Sequence, residues 1–224
     1  MIDQPGADLG SGSIKDYFDL FNPNTMIDVG AAYGTPKLYA IFKDAYHVLI
    51  EPLEEFEPYL QQSLKSFYGE YIITAVGDQK QKRDLFIEGN KLPQASFYRR
   101  KTEFQSSDPC KLRTVTVDTL DTLKVERKWK PPYGLKINAE GSEDLILKGA
   151  KNLLQETEFV YTEVSIGVYQ NNNEYRLSDL TKFLFENNFL LYDIMETESL
   201  PSGKVVTAKL LFINKAVLKL NVDS

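Results

Sequence analysis

Short apolar runs alternate along this chain with longer stretches in which apolar residues recur every three or four positions. Thr25–Val29 reads as a buried strand that ends in a glycine-bearing turn, residues 30–34. Pro36 suits the first turn of a following helix, expected to run to about Lys43. Residues 46–50 form a second apolar run closed by Glu51 and Pro52, and residues 53–67 have helical spacing, with Phe56, Leu60, Leu64 and Phe67 on one side. Residues 71–76 predict a third strand, ending at Gly77 and Asp78. This β-α-β-α-β order is that of a parallel sheet with crossover helices.

The pattern then changes. Residues 83–88, 95–99 and 113–117 are short alternating runs among polar, Gly and Pro residues, and they predict a β segment inserted over residues 83–117. Residues 123–132, charged and ending in Pro131 and Pro132, predict an exposed connection. The alternation resumes with a strand over 133–139, a helix over 142–155, a strand over 159–165 and a helix over 177–187. Residues 189–195 and Val205–Asn214 then form two strands whose short link around Pro201, Ser202 and Gly203 leaves no room for a crossover helix, so they pair antiparallel. The expected fold is α/β: a seven-stranded, mostly parallel sheet with an antiparallel C-terminal hairpin and an inserted β segment. This order is similar to the Rossmann-like fold of class I S-adenosylmethionine-dependent methyltransferases, an analogy of topology that does not fix function.

Composition narrows the picture. A chain of 224 residues, 42% hydrophobic and 26% charged, is an ordinary globular protein and is expected to form a single domain, 1–224. Its formal net charge of -6 makes it a poor general binder of nucleic acid. One cysteine, Cys110, and one histidine, His47, exclude an internal disulfide and most thiolate or histidine metal sites, and no metal is expected. His47, at the start of the second strand, reads as structural. Residues 1–15 are polar and Gly-rich without an apolar core, which predicts a flexible tail rather than a secretory signal. No run reaches the roughly 18–20 apolar residues of a membrane span, so a cytoplasmic location is expected.

Four segments carry chemistry. In the first, Gly30, Ala31, Ala32, Tyr33 and Gly34 follow Asp28 and Val29, and small residues at a strand-to-helix turn let backbone approach a ligand. Ala32 stands where a dinucleotide site has its middle glycine, which disfavours a pyrophosphate ligand and a nicotinamide-dependent oxidoreductase. Asp28 would suit a cationic group, or serve as a helix cap. Second, Glu51 lies about 20 residues downstream at the end of a strand, the arrangement that hydrogen-bonds ribose hydroxyls. Third, Asp78 after Gly77 could accept from an adenine amino group, or sit in an ordinary turn. Fourth, Lys136, Asn138 and Glu140 would share one face of a strand, a polar stripe that is costly when buried unless it is paired or meets a ligand. Ser142 could cap the next helix.

In this order the segments resemble the FkbM-type methyltransferase family, whose pattern is DVGAN-x-G, then EP, AVGD, KIDVEGAE with LKGA, and a glutamate on the next strand. The counterparts are Asp28 to Gly34, Glu51 with Pro52, Ala75 to Asp78, Lys136 to Glu143 with Leu147 to Ala150, and Glu163, within residues 25–195. The resemblance implies a methyltransferase fold with S-adenosylmethionine as methyl donor. Asp28, Gly30 and Gly34 would line its methionine end, Glu51 the ribose and Asp78 the adenine side, with Ala31, Tyr33, Pro52 and Gly77 as further cofactor-binding residues. It also implies O-methylation of a sugar or natural-product hydroxyl, with a small-molecule or glycan acceptor.

Two positions depart from the family pattern: Ala32 replaces an asparagine, and Asn138 replaces the aspartate. An amide cannot act as a carboxylate base. Glu140 and Glu163 remain as candidate bases, with Lys136 and Asn138 orienting the acceptor. Asn138 also supports an alternative, a catalytically impaired scaffold that still binds the cofactor. Within the insertion, Phe97, Tyr98, Arg99 and Arg100 join aromatic surface to positive charge, suited to a sugar ring or an anionic carrier.

Overall fold

The computed structural model describes residues 17–101, 105–166 and 175–217. Its large sheet has seven strands: β1 (Thr25–Val29), β2 (Tyr46–Glu51), β3 (Gly69–Ile73), β7 (Tyr133–Ile137), β8 (Thr157–Ser165), β9 (Phe189–Ser199) and β10 (Val205–Asn214), in the order β3-β2-β1-β7-β8-β10-β9. β1, β2, β3, β7 and β8 run parallel, and β10 is antiparallel to both β8 and β9. A smaller sheet, β4-β6-β5, contains β4 (Ala75–Val76), β5 (Gln81–Glu88) and β6 (Cys110–Asp118). The expected tail over 1–15 lies outside the described residues.

Alternate residues of the central strands feed two cores. Ile27 and Val29, Val48 and Ile50, Leu135 and Ile137, Val160 and Leu210 face one cluster, shared with α3 (Leu120–Arg127), α4 (Glu143–Lys148), α5 (Lys151–Leu154) and α6 (Leu177–Glu186). Met26, Phe159, Leu211 and Ile213 face the other, with Phe18, Phe21 and α1 (Pro36–Ile41). Burial on both faces explains why these strands read as continuous apolar runs. α2 (Glu57–Ser63), preceded by a 3-10 turn over Glu54–Phe56, covers β3.

Several boundaries differ from expectation. The run 71–76 divides at Thr74, whose N–H bonds to Glu51 O at 3.1 Å, so that β3 stays in the large sheet and β4 joins the small one. Residues 95–99 are not a strand, because only Ser96 pairs, bridging Phe86. The first half of the expected connection over 123–132 belongs to α3: Thr119 Oγ1 caps it by accepting Thr122 N–H at 3.0 Å, and Lys128 ends it at φ 58. Glu126 and Arg127 are exposed helix formers, while Leu120 and Leu123 are buried. The helix expected over 142–155 breaks at Gly149 into α4 and α5, where a Cβ would stand 1.9 Å from Gly77 O.

Candidate functional site

The sheet order reverses between β1 and β7, and open α/β sheets bind ligands in the crevice at the carboxyl ends of such strands. A cavity of about 920 Å³ lies there, within the about 300–1,000 Å³ usual for small-molecule and cofactor sites. Its wall includes the turn after β1, the end of β2, β4, residues 92–97 of the insertion, the turn after β7, and Tyr161, Glu163 and Lys209.

The glycine turn is built from beneath. Gly30 has φ 70, and a Cβ there would lie 1.9 Å from Asn138 O, so glycine alone fits between β1 and the turn after β7. Gly30 and Ala31 N–H both donate to Ile50 O, at 3.0 and 3.1 Å. Asp28 is fully buried below the turn, where its carboxylate accepts the Thr35 hydroxyl at 2.9 Å and the Tyr39 hydroxyl, and lies 2.7 Å from Lys136 Nζ. Lys136 also donates to Gly30 O at 3.1 Å. Asp28 is therefore neither a cavity-facing ligand nor a helix cap. Burial on the α1 side of the sheet turns its carboxylate away from the cavity, and it fastens the turn to β7 and α1.

Glu51 ends β2 with its carboxylate in the cavity wall, accepting Ala32 N–H at 3.0 Å and Leu53 N–H at 3.1 Å. Burial pushes its carboxyl up to about 7 against the pull of those two N–H bonds and of Lys136. Tyr33 stands at the rim, edge-on to Phe56 and Tyr59 with ring centres 5.1 and 4.8 Å away. Ala31, Gly34 and Pro52 complete this side. Gly77 and Asp78 do not join it. The wall ends at Val76; Gly77 is buried against Gly149, and Asp78 is exposed outside the cavity. The division of the third strand at Thr74 carries them away.

Across the cavity, β7 ends at Ile137, so only Lys136 of the expected polar stripe lies within the strand. Asn138 N–H continues the ladder to Val29 O at 3.0 Å, and Glu140 occupies a turn at φ 50. Glu140 is ion-paired with Arg100 at 3.3 Å, and Ser96 Oγ donates to its carbonyl at 2.7 Å. Burial pushes the Glu140 carboxyl up to about 7, while Arg100 opposes the rise. Arg100 is thus occupied inside the protein, Arg83 lies 4.6 Å from the centre of the Phe97 ring, and Arg99 is exposed. Within the aromatic and basic run of the insertion, Arg100 braces the turn after β7, and only Arg99 stays exposed. Ser142 makes no capping bond; the neighbouring Glu143 accepts Ala139 and Gly141 N–H, both at 3.2 Å. His47 is buried beneath Tyr39 and Phe67, with Nε2 3.1 Å from Phe42 O, and burial lowers its pKa.

The remaining wall comes from β8 and β10. Glu163 has no hydrogen-bond or ion-pair partner for its carboxylate among the described residues. Burial raises its pKa, and Lys209 is the largest influence opposing this. Lys209 sits opposite Glu163 in the β8–β10 ladder and is held by Glu196 at 2.6 Å. Tyr161 and Lys209 were missed in the sequence. The period-two row Phe159, Tyr161, Glu163 on β8 signals Tyr161, whereas Lys209 needs the hairpin register.

Among the described residues no His, Cys, Asp or Glu side chains converge in a group of three that could hold a metal ion, and no helix is long and apolar enough to cross a membrane. Sequence comparison with the curated proteins finds no match. Among solved structures, the chain is similar to a precorrin-6y C5,15-methyltransferase from Geobacter metallireducens, at 9% identity and TM-score 0.46 over 90% of this chain and 85% of that one. It is also similar to a SAM-dependent methyltransferase from Aquifex aeolicus, at 11% and 0.43 over 89% and 88%. A magnesium protoporphyrin IX methyltransferase from Synechocystis with bound SAM matches at 9% and 0.43 over 89% and 73%. The family model described as the methyltransferase FkbM domain matches residues 28–191, most of the chain and all of the cavity lining except Lys209. The chain therefore belongs to the FkbM methyltransferase family, whose enzymes take S-adenosylmethionine as methyl donor.

Proposed function

We propose that this cavity binds S-adenosylmethionine against the 30–34 turn and Glu51, and that the protein methylates a hydroxyl oxygen of a small molecule or glycan with Glu163 as general base. The donor set fits the cofactor. A mostly apolar cavity with one buried carboxylate beside a tight glycine turn suits a nucleoside without a pyrophosphate. Glu51 would accept from the ribose, Pro52 would flank it, and Gly30, Ala31 and Gly34 would let the methionine end lie close to backbone. When bound, S-adenosylmethionine supplies a methyl group already activated on a sulfonium, so the chain's task is alignment, exclusion of water and removal of one proton.

The observation that carries the choice of base is the unpaired Glu163 carboxylate. Glu51 is bound to two N–H groups and Glu140 to Arg100, while Glu163 faces the cavity with its lone pairs free and its proton affinity raised. Glu163 takes the acceptor hydroxyl's proton as the oxygen–methyl bond forms. Asn138 and Lys136 stand at the same end, Lys136 acting through Asp28 and Gly30. Among the described residues no helix is long and apolar enough to cross a membrane. A cytoplasmic location is a separate part of the proposal.

Calorimetric titration with S-adenosylmethionine, S-adenosylhomocysteine and NAD tests the donor site, with micromolar binding expected for the sulfur ligands alone. Methyl transfer from labelled S-adenosylmethionine into hydroxylated small molecules and glycans then tests the base. Glu163→Gln should lower turnover about 10²–10⁴-fold with S-adenosylhomocysteine affinity unchanged. Full turnover by that variant would transfer the role elsewhere, and donor binding without turnover on any acceptor would favour a scaffold.

A further inference from the structure

A hydroxyl that the foregoing reading does not use lies beside Glu163. Tyr161 lines the cavity and is 5% exposed, and its Oη is buried with no hydrogen-bond partner. Leaving a buried hydroxyl unpaired is destabilising, and such a group in a native site calls for an absent partner. Tyr161 is two residues before Glu163 on β8, so the two side chains stand on the same face of the sheet.

The neighbours set the chemistry of that partner. Lys136 is paired in register with Tyr161, but its ammonium is committed to Asp28 and Gly30 O. Lys209 is committed to Glu196, and Arg100 to Glu140. Glu198, on β9, holds the Thr207 hydroxyl at 3.3 Å and adds negative charge near Glu163. Lys136, Lys209 and Arg100 thus already have a carboxylate each, and Glu163 and Glu198 add further negative charge. A phenol hydroxyl donates to an oxygen, and the surplus negative charge selects against a ligand bringing a carboxylate or phosphate beside it.

We propose that Tyr161 is a positioning residue for the methyl acceptor, donating its hydroxyl hydrogen to an uncharged oxygen next to the hydroxyl that faces Glu163, and that this end of the cavity rejects anionic acceptors. This rests on the assignment of Glu163 to the acceptor side. Glu163 then holds the reacting hydroxyl and Tyr161 fixes the rotation of the molecule that carries it. Nothing is transferred to or from the tyrosine.

The test uses the whole protein with tyrosine labelled with ¹³C at Cζ, titrated with cis-1,2-cyclohexanediol, cyclohexanol and cis-2-hydroxycyclohexanecarboxylate, with and without S-adenosylhomocysteine. Tyr161→Phe identifies the Tyr161 resonance by its disappearance. The diol should move that resonance and bind at least about fivefold more tightly than the mono-ol, and the hydroxy acid should bind most weakly. Tyr161→Phe should bring diol affinity down to that of the mono-ol while S-adenosylhomocysteine affinity stays unchanged. Glu163→Gln should recover binding of the hydroxy acid. A Tyr161 resonance that no probe moves would overturn the proposal, as would equal binding of diol and mono-ol or tighter binding of the anion. Failure of S-adenosylhomocysteine to bind while the diol still moves Tyr161 would count against the donor-site reading and leave the tyrosine assignment supported.

Discussion

Replacing Lys136 with methionine keeps most of the side chain's length and apolar stem but removes the cation that faces Asp28. Asp28 is fully buried and the Lys136 side chain is only 9% exposed, so no solvent can take over the lost charge. The Thr35 and Tyr39 hydroxyls remain on the carboxylate but carry no charge to balance it. Breaking a buried ion pair by removing one partner costs about 3–5 kcal/mol. For a chain of this length that corresponds to a fall in Tm of about 6–20 °C. Asp28→Asn alone should also destabilise, because Lys136 would then be the unbalanced charge. In the double variant Asp28→Asn with Lys136→Met no charge is left buried, and the loss should fall short of the sum of the single losses by about 1–3 kcal/mol. Urea unfolding of the wild type and the three variants measures each term. S-adenosylhomocysteine titration of the same proteins reads whether the 30–34 turn, which Lys136 holds through Gly30 O, has moved. Losses that add within about 0.5 kcal/mol would refute the claim that the pair acts as one buried unit.

Glu51, Glu140 and Glu143 are each pushed up to about 7 by burial from an ordinary value of 4.5. Between those values the folded protein holds protons that the unfolded chain has lost, so these groups favour folding at the acid end and that contribution falls as pH rises through 7. Comparing urea midpoints from pH 5 to 8 for the wild type and Glu143→Gln isolates one group, and the variant should show the shallower decline. Gly30→Ala should lose S-adenosylhomocysteine binding and much of its stability, since its Cβ would fall 1.9 Å from Asn138 O at φ 70; soluble protein with unchanged affinity in calorimetry would contradict this. Asn138→Asp would add a carboxylate to an end of the cavity where Glu163 is unpaired. The pH–rate profile should then move to higher pH, and thermal stability should drop near neutral pH.

The frame of this protein was legible because its central strands are buried on both faces and its helices are not. Apolar runs bounded by Gly, Pro and acids located β1, β2, β7, β8, β9 and β10, and the short link after β9 settled their antiparallel closure. What could not be read was which side of a sheet a polar residue would meet. Asp28 looks the same in sequence whether it faces a ligand or an ion pair, and the decision lies with Lys136, its register partner more than a hundred residues away. Thr74 gave no sign of dividing a strand, because the division follows from a bond to Glu51 O on another element. α3 was hidden by its own composition: Lys124, Glu126, Arg127 and Lys128 suit a solvated helix as well as a loop, and the prolines after it drew the reading toward a loop.

The register also explains why an amide at position 138 is compatible with a working site. Asp28, Lys136 and Tyr161 form one row across β1, β7 and β8, and Glu163, Lys209 and Glu196 form the next row across β8, β10 and β9. Asn138, one residue beyond the Ile137–Thr162 pair, lines the same cavity as Glu163. An aspartate there would set a second carboxylate against Glu163 with no further cation to meet it, since Lys136 and Lys209 are already engaged. An asparagine instead offers an uncharged donor and acceptor, which agrees with the proposal that Glu163, on the neighbouring strand, takes the proton. Charge in this cavity is distributed by row, and an uncharged residue at 138 adds nothing to the carboxylates that those rows already hold.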